Sequence, residues 1–487
     1  MVTAHPLSPA RPRRGNASGR RRHSGTEVAN DTHSALNPTR IARRFQPRSA
    51  AEVAEVVRLA HAAGEPLAIA GGRHAMGGQQ FLTDGWLLDL RQLRGFRCLD
   101  VERGLLQAEA GILWPDLIRD YLVLQSGTAA PWGLRQKQTG ADRLTLGGAV
   151  AANIHGRVLQ GGPFVQDIES LEVVDAQGEL RHCSRSENAE LFRHVVGGYG
   201  LFGVVTAAEL RLVPRIQIER VVCLGVIDEL AERFQERLAA GYLYGDFQFA
   251  TWPGNDDFLR TGVLSCYRPV HDPRPIPPDQ RRLSQHNWNH LLELAHTDKR
   301  RAFEVFTEFY LATCGQRYYS DTHQLNLYLE DYHGPLDRRL GACVRGSEMI
   351  TELYVPRDRL AIFMDAVRRD CRSHATNVIY GTIRLIDADR ESALPWARSS
   401  WACVIFNLHI DHRPEDVERA AADFRRLIDH ALEQGGSYFL TYHHFARPEQ
   451  VLAAHPGIRE FLKTKERLDP EGRFQSDWYR HIGRQLR

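Results

Sequence analysis

Pro66-Leu67-Ala68-Ile69-Ala70 runs into Gly71-Gly72-Arg73-His74-Ala75-Met76-Gly77-Gly78, and Gly85–Leu90 (GWLLDL) follows a few residues later. The first and last pieces read as short buried strands. In a Rossmann unit the glycine loop opens a helix whose N-terminus holds the pyrophosphate. Here a strand follows instead, so this loop must cradle an anion with backbone N–H groups in a turn or nest. Glycine permits the positive φ angles and the close backbone approach that this requires. Upstream, Val53, Val56, Val57 and Ala60 fall at i, i+3, i+4 and i+7, which predicts an amphipathic helix over 50–64 ended by Gly64.

Two further glycine-rich stretches lie downstream. Thr139–Gly156 (TGADRLTLGGAVAANIHG) is dominated by small side chains, and such a backbone can lie against a flat ring. Asp167–Val174 and Leu180–Cys183 predict a hairpin turning at 176–179. The third cluster is Gly197-Gly198-Tyr199-Gly200, followed by Gly203-Val204-Val205. From about 216 the texture changes to frequent aromatics, strand-like stretches and helices near 357–371 and 414–434. The proline-rich residues 270–281 predict an exposed loop, and 448–465 predicts one helix.

Composition bounds the rest. A chain of 487 residues with 43% apolar and 25% charged residues is an ordinary globular chain of two domains or more. Its net charge of +2 makes no case for nucleic acid or membrane. Six arginines and no acid fall within residues 1–26, so the remainder is net acidic. Residues 1–36 read as a disordered basic tail; nucleic-acid association through it is the weaker reading. There is no apolar run long enough for a secretory signal or a span. The eight cysteines are scattered without a CxxC pair, which fits a reducing cytoplasm. No HxxxH or HExxH spacing appears among the 22 histidines, so no metal is expected.

The three glycine clusters, with the closing Leu468-Asp469-Pro470-Glu471-Gly472-Arg473-Phe474-Gln475-Ser476-Asp477, resemble the FAD-binding oxidoreductases of the vanillyl-alcohol-oxidase, PCMH-type class. Leu146–Gly156, Asp175–Val205 and the run Asn188–Phe192 are most similar to decaprenylphosphoryl-ribose oxidase-like members. The resemblance implies an α+β fold: an FAD domain of two subdomains (37–215), a cap with a large antiparallel sheet (216–432), and a C-terminal segment (433–487) that returns to the FAD domain. It also implies hydride transfer from a hydroxylated small molecule to FAD, then reoxidation by oxygen or another acceptor. A sterol-reductase-type reduction of a C=C bond is the second enzymatic reading.

The resemblance assigns residues as well. Gly71–Gly78 should hold the pyrophosphate; Thr139, Gly147, Gly148, Asn153, His155 and Gly156 should line the flavin, with Gly203 and Val204 at its edge or the adenine side. In aldonolactone and alditol oxidases a loop histidine is bonded to the flavin 8α carbon, and His74 matches it by spacing. Arg73 is the alternative equivalent, with a non-covalent flavin. Arg384, in Tyr380-Gly381-Thr382-Ile383-Arg384, matches an arginine on a cap strand above the flavin, although Thr382 stands where those enzymes carry glutamate. His443 and His444 are the general-base candidates, since imidazole titrates near neutrality. Polar residues alternating in Asp321–Tyr328 (His323, Gln324, Asn326, Tyr328) and in Phe406–Ile410 (Asn407, His409) suggest a hydroxyl-binding strand face.

Overall fold

Each half of the opening motif folds as its pattern predicts. The computed structural model describes residues 27–325 and 332–486. Helix Ala50–Ala63 is capped by Ser49, whose side chain accepts from the Glu52 amide, and ends on Gly64 in the left-handed region. Its apolar stripe, Val53, Ala54, Val57 and Ala60, is buried. Strands β1 (Glu27–Ala29), β2 (Thr39–Phe45), β3 (Leu67–Ala70) and β4 (Gly85–Asp89) form one sheet in the order β1-β2-β4-β3. β4 runs parallel to both β2 and β3, so the glycine loop bridges two parallel strands without a helix.

A second, antiparallel sheet holds β5 (Phe96–Asp100), β6 (Leu105–Glu109), β8 (Ile168–Val174), β9 (Leu180–Ser184) and β10 (Val204–Arg211), in the order β5-β6-β10-β8-β9. The small ribbon of β7 (Trp132–Gly133) and β11 (Val213–Pro214) flanks it. The third sheet is wholly antiparallel. It takes β12 (Gln217–Val226), β13 (Tyr244–Phe249), β14 (Thr261–Pro269), β15 (Arg317–Tyr319), β16 (Gly346–Pro356), β17 (Val378–Ile386), β18 (Trp401–Asp411) and β19 (Ser437–Tyr438), in the order β15-β12-β14-β13-β17-β18-β16-β19. The fold is α+β, with an antiparallel cap sheet beside two smaller sheets.

The cap sheet is two-faced because its side chains alternate. On β16, Met349, Leu353 and Val355 join the apolar core, and helices Leu360–Ser373 and Pro414–Glu433 pack on this strand. Glu348, Ile350, Glu352 and Tyr354 point the other way, and Ile350 lines the cleft described below.

Three expectations are corrected. Residues 27–36, read as tail, belong to the fold: β1 pairs with β2, and the Asp31 carboxylate accepts from the His33, Ser34 and Ala35 amides. Residues 1–26, and with them the basic tail itself, lie outside the described residues. The segment read as one helix over 448–465 is two, Pro448–Ala454 and Ile458–Leu468, because Pro456 disfavours helical geometry at His455 (φ −127°, ψ 71°). Thr322–Gln324 is a 3-10 turn rather than strand, started by the Asp321 carboxylate accepting from the Thr322 amide. Asn326 and Tyr328 lie outside the described residues.

The C-terminal signature closes the first sheet. Phe474 bridges to Leu67 in parallel, and the fully buried Asp469 accepts from the Arg473 and Phe474 amides, 2.8 Å each, and from the buried Lys465 ammonium. Removing that carboxylate strands a buried cation and two amides. Asp469→Ala should cost about 3–5 kcal/mol, seen as a lower thermal midpoint; an unchanged midpoint would contradict this role.

Candidate active site

The cleft is built where the three glycine segments meet. A Cβ on Gly71 would collide with Thr145 Oγ1, and one on Gly72 would lie 2.5 Å from the Arg143 carbonyl oxygen. One on Gly147 would lie 2.8 Å from the Ala110 Cβ. The first segment therefore lies directly against the Arg143 backbone and the Thr145 side chain of the second. Gly200 (φ +75°) and Gly203 (φ +156°) carry the third segment past them. Of the expected cofactor residues, Gly71, Gly72, Arg73, His74, Ala75, Met76, Thr139, Gly147, Gly148 and Gly203 line this cleft.

Its wall carries polar atoms that the protein does not satisfy. Thr139 Oγ1, Gln138 Oε1 and Arg73 Nε are buried and have no hydrogen-bond partner. Burial, and after it the nearby Arg91, lower the Arg73 guanidinium below its ordinary range. Unpaired donors (Arg73 Nε, Thr139 Oγ1) and an unpaired acceptor (Gln138 Oε1) beside bare glycine backbone fit a bound dinucleotide, whose phosphates and ring edges supply the missing partners. His74 also faces the cleft. Its Nδ1 is 2.8 Å from His33 Nε2, and burial, then His33, push its pKa down to about 3. The ring is thus neutral and fixed in place.

Other expected residues stand behind the wall. The Gly77 carbonyl takes His444 Nδ1 at 2.9 Å, and the Gly78 carbonyl takes the Phe81 and Trp478 amides, so this end of the loop anchors the C-terminal segment. Asn153 is fully buried, donating to Asp389 at 2.9 Å and accepting from the Val165 amide at 2.9 Å; it closes helix Leu146–Ala152 rather than lining the flavin. A Cβ on Gly156 would lie 2.8 Å from the Lys137 carbonyl oxygen, and Val204 belongs to the apolar core, so neither residue lines the cleft.

His155 reaches the cap sheet instead. Its Nε2 is 2.6 Å from Glu352 Oε1, and its Nδ1 is 3.0 Å from the Gly156 carbonyl oxygen. A carbonyl only accepts, so Nδ1 carries a hydrogen. Glu352 has no exposed surface and also accepts from the Tyr354 hydroxyl at 2.7 Å, the Tyr442 hydroxyl at 3.0 Å and the Cys403 thiol at 3.1 Å. Burial would raise its pKa, but His155 and these hydrogen bonds outweigh it and hold the carboxyl down at about 2. Burial, then Glu352, push the Tyr442 and Cys403 groups well up, so both stay protonated.

Arg384 lies beside this network. It pairs with Cys403, which pairs with Tyr354, and residues directly opposite share a face. The side chain is 4% exposed, yet its Nε and Nη1 have no partner. Thr382, in the place of the resembling enzymes' glutamate, pairs with Ile405, which pairs with Glu352. A carboxylate thus stands two strands away on the same face. Glu352 and Tyr442 were not singled out from the sequence; two glutamates four apart in the otherwise uncharged Gly346–Pro356 were the available signal.

The two expected bases do not line the cleft, whereas Thr441 and Tyr442 just before them do. His443 stacks on Phe445 at 5.2 Å, and burial pushes its pKa to about 4 against the pull of Asp31. His444 turns the opposite way, to the Gly77 carbonyl and to His481 at 4.3 Å between ring centroids.

Comparison with known proteins agrees with this geometry. Residues 41–184 match the family model described as FAD binding domain. The chain is 30% identical over 197 residues to cytokinin dehydrogenase 7 of Oryza sativa subsp. japonica, covering 38% of this chain and 35% of that protein. It is 30% identical over 178 residues to cytokinin dehydrogenase 1 of Arabidopsis thaliana (35% and 30% covered) and 26% identical over 214 residues to L-gulonolactone oxidase of Bos taurus (44% and 46% covered). The chain thus spans less than half the length of each of these relatives. Residues 41–184 are an FAD-binding domain, and FAD is the cofactor.

Gly148 lines the cleft, and a Cβ there would press only on the Thr145 hydroxyl, at 3.1 Å, which can shift by a few tenths of an ångström. Gly148→Val should therefore fold but purify with little FAD, read as loss of the visible flavin band at an unchanged circular dichroism spectrum. Full flavin content in this variant would remove the second glycine segment from the cofactor wall.

Proposed function

We propose that this chain is an FAD-dependent oxidoreductase that oxidises a hydroxyl-bearing carbon of a polar, sugar-, polyol- or lactone-like substrate. The observation that carries this reading is Arg384: a buried guanidinium with two unpaired nitrogens, standing behind the cleft lining on the sheet face that reaches the cleft at Ile350. Leaving such a group unpaired is costly, so a substrate oxygen is its natural partner. Bound FAD supplies the hydride acceptor, and oxygen or another acceptor reoxidises it.

The remaining work falls to the chain's own side chains. Arg384 holds a substrate oxygen and stabilises negative charge that develops on it. Tyr442, which lines the cleft, accepts the hydroxyl proton while passing its own to Glu352. A carboxylate with a pKa near 2 is a weak base in isolation. It suffices here because a hydroxyl becomes strongly acidic as its C–H bond breaks. His155 and Tyr354 keep Glu352 oriented. This pair replaces His443 and His444 as proton acceptor, because those rings do not line the cleft.

The test is an anaerobic screen in which bleaching of the flavin band marks a substrate. Sugars, polyols and lactones should bleach it, and Arg384→Met should slow that bleaching by about 10²–10³-fold with flavin content intact. Bleaching by cytokinins alone would transfer the relatives' named substrate to this chain. Flavin reduction by NAD(P)H, with C=C substrates reoxidising it, would favour the reductase reading.

His74 is the residue for a covalent link, since a neutral imidazole facing the cleft is a competent nucleophile. Acid precipitation should leave a yellow pellet, fluorescent on a denaturing gel, and His74→Ala should release the flavin to the supernatant. A yellow supernatant from the wild type would end the covalent reading while leaving FAD binding intact.

A further inference from the structure

A second polar cluster lies farther along the same sheet face. Glu348 is the next side chain on that face before Ile350, and His409 of β18 sits directly opposite it. His296, from helix Gln285–Thr297, and His333, the first residue of helix His333–Leu340, close over the pair. One donor atom from each histidine lies within 4.8 Å of the others. Glu348 Oε1 is 3.7 Å from His296 Nε2 and 3.9 Å from His333 Nε2.

The Tyr332 hydroxyl hydrogen-bonds to the Glu348 carboxyl, but most of the cluster's facing atoms are unsatisfied. His296 Nε2, both ring nitrogens of His333, His409 Nδ1 and Glu348 Oε1 are buried with no hydrogen-bond partner. Its surroundings, by contrast, are ordered. His296 Nδ1 is 2.8 Å from the Leu292 carbonyl oxygen, so Nδ1 carries the hydrogen and the Nε2 lone pair is turned toward Glu348. Asp411 lies 3.6 Å from His409 Nε2, and Asn407 donates to Glu348 Oε2 at 3.3 Å. Lys299, the nearby ammonium, is engaged by Asn377 and the Val378 carbonyl. Gly346 makes room for the ring: a Cβ there would lie 2.7 Å from His409 Cε1.

We propose that His296, His333, His409 and Glu348 bind one divalent first-row transition ion of the zinc type. Three imidazoles and one carboxylate, with outer partners fixing the ligating nitrogens, are the donor set such ions take. In a tetrahedral site with bonds of about 2.0–2.1 Å the donors stand about 3.4 Å apart, so the separations seen close by small side-chain movements. The ligands come from two helices and two strands. An ion would therefore tie both helices to the cap sheet, one side-chain position from the cleft residue Ile350. The HxxxH and HExxH spacings that signal metal sites cannot report ligands scattered in this way.

The test uses the full chain without a histidine tag, purified with its flavin, stripped by chelator and reloaded with Zn²⁺ or Co²⁺. Elemental analysis after gel filtration should give one ion per chain. Co²⁺ should produce the visible absorption of a nitrogen-rich site, and Zn²⁺ should raise the thermal midpoint. His333→Ala and His409→Ala should each lose the ion while keeping the flavin band, and Glu348→Gln should weaken binding by about tenfold or more. Substoichiometric metal in the reloaded wild type overturns the proposal, as does wild-type stoichiometry in the His333→Ala/His409→Ala double variant.

Discussion

The bond between His155 and Glu352 is the contact on which the active site's arrangement depends. It joins the end of the second glycine segment to the middle of a cap strand, residues 197 positions apart, at 2.6 Å and with no exposed surface on either side. Bringing a carboxylate so far from water is costly, and its bond to His155 offsets that only when the leftover lone pairs are also occupied. Here they are: two phenols and a thiol point at the carboxylate. The arrangement fixes Tyr442 at the cleft and sets the separation between sheet and cofactor domain. A hydrophobic pair of the same volume would serve cohesion as well, so the retained charge is better explained by the chemistry beside it.

The glycine segments impose a complementary constraint. Gly71, Gly72 and Gly147 are needed because other backbone and small side chains press against them, not because each touches cofactor. The cleft is the space left when the first segment lies directly against the Arg143 backbone and the Thr145 side chain of the second. Arg73, like Asn153 and Tyr199 in the other two segments, is a non-glycine residue with positive φ, here +60°. That backbone costs energy for an arginine, and it carries the guanidinium into the wall, where an anionic ligand would be attracted.

Legibility in the sequence followed the range of the interactions. Helix Ala50–Ala63, strands β3, β4, β8 and β9, and the loop with no helix after it are governed by neighbours a few residues apart, and the patterns of capping, periodicity and glycine reported them. The single-helix reading of 448–465 passed over Pro456, whose backbone restriction ends the first helix at Ala454. The resemblance put Asn153 at the flavin; it is a left-handed helix terminator (φ 48°) whose amide is used within the protein. Glu352 was invisible because its meaning rests on His155, Tyr442 and Cys403, which reach it only through tertiary packing. His443 and His444 drew attention as imidazoles, but on adjacent residues their side chains diverge, and neither lines the cleft.

Strand β16 unites these observations. Its outward positions Met349, Leu353 and Val355 belong to the core beneath the helices, so the strand cannot slip by one residue without burying two glutamates there. That register fixes the opposite row: Glu348 beneath three histidines, Ile350 at the cleft, Glu352 in the proton network, Tyr354 stacked on Trp396 at 4.8 Å. Core packing on one face thus sets the position of every reactive group on the other. A substitution at Leu353, far from any polar contact, would disturb the Glu352 carboxylate and the His409 pairing together. For that reason the hydrophobic face of β16 is as much a determinant of the chemistry as the charged one.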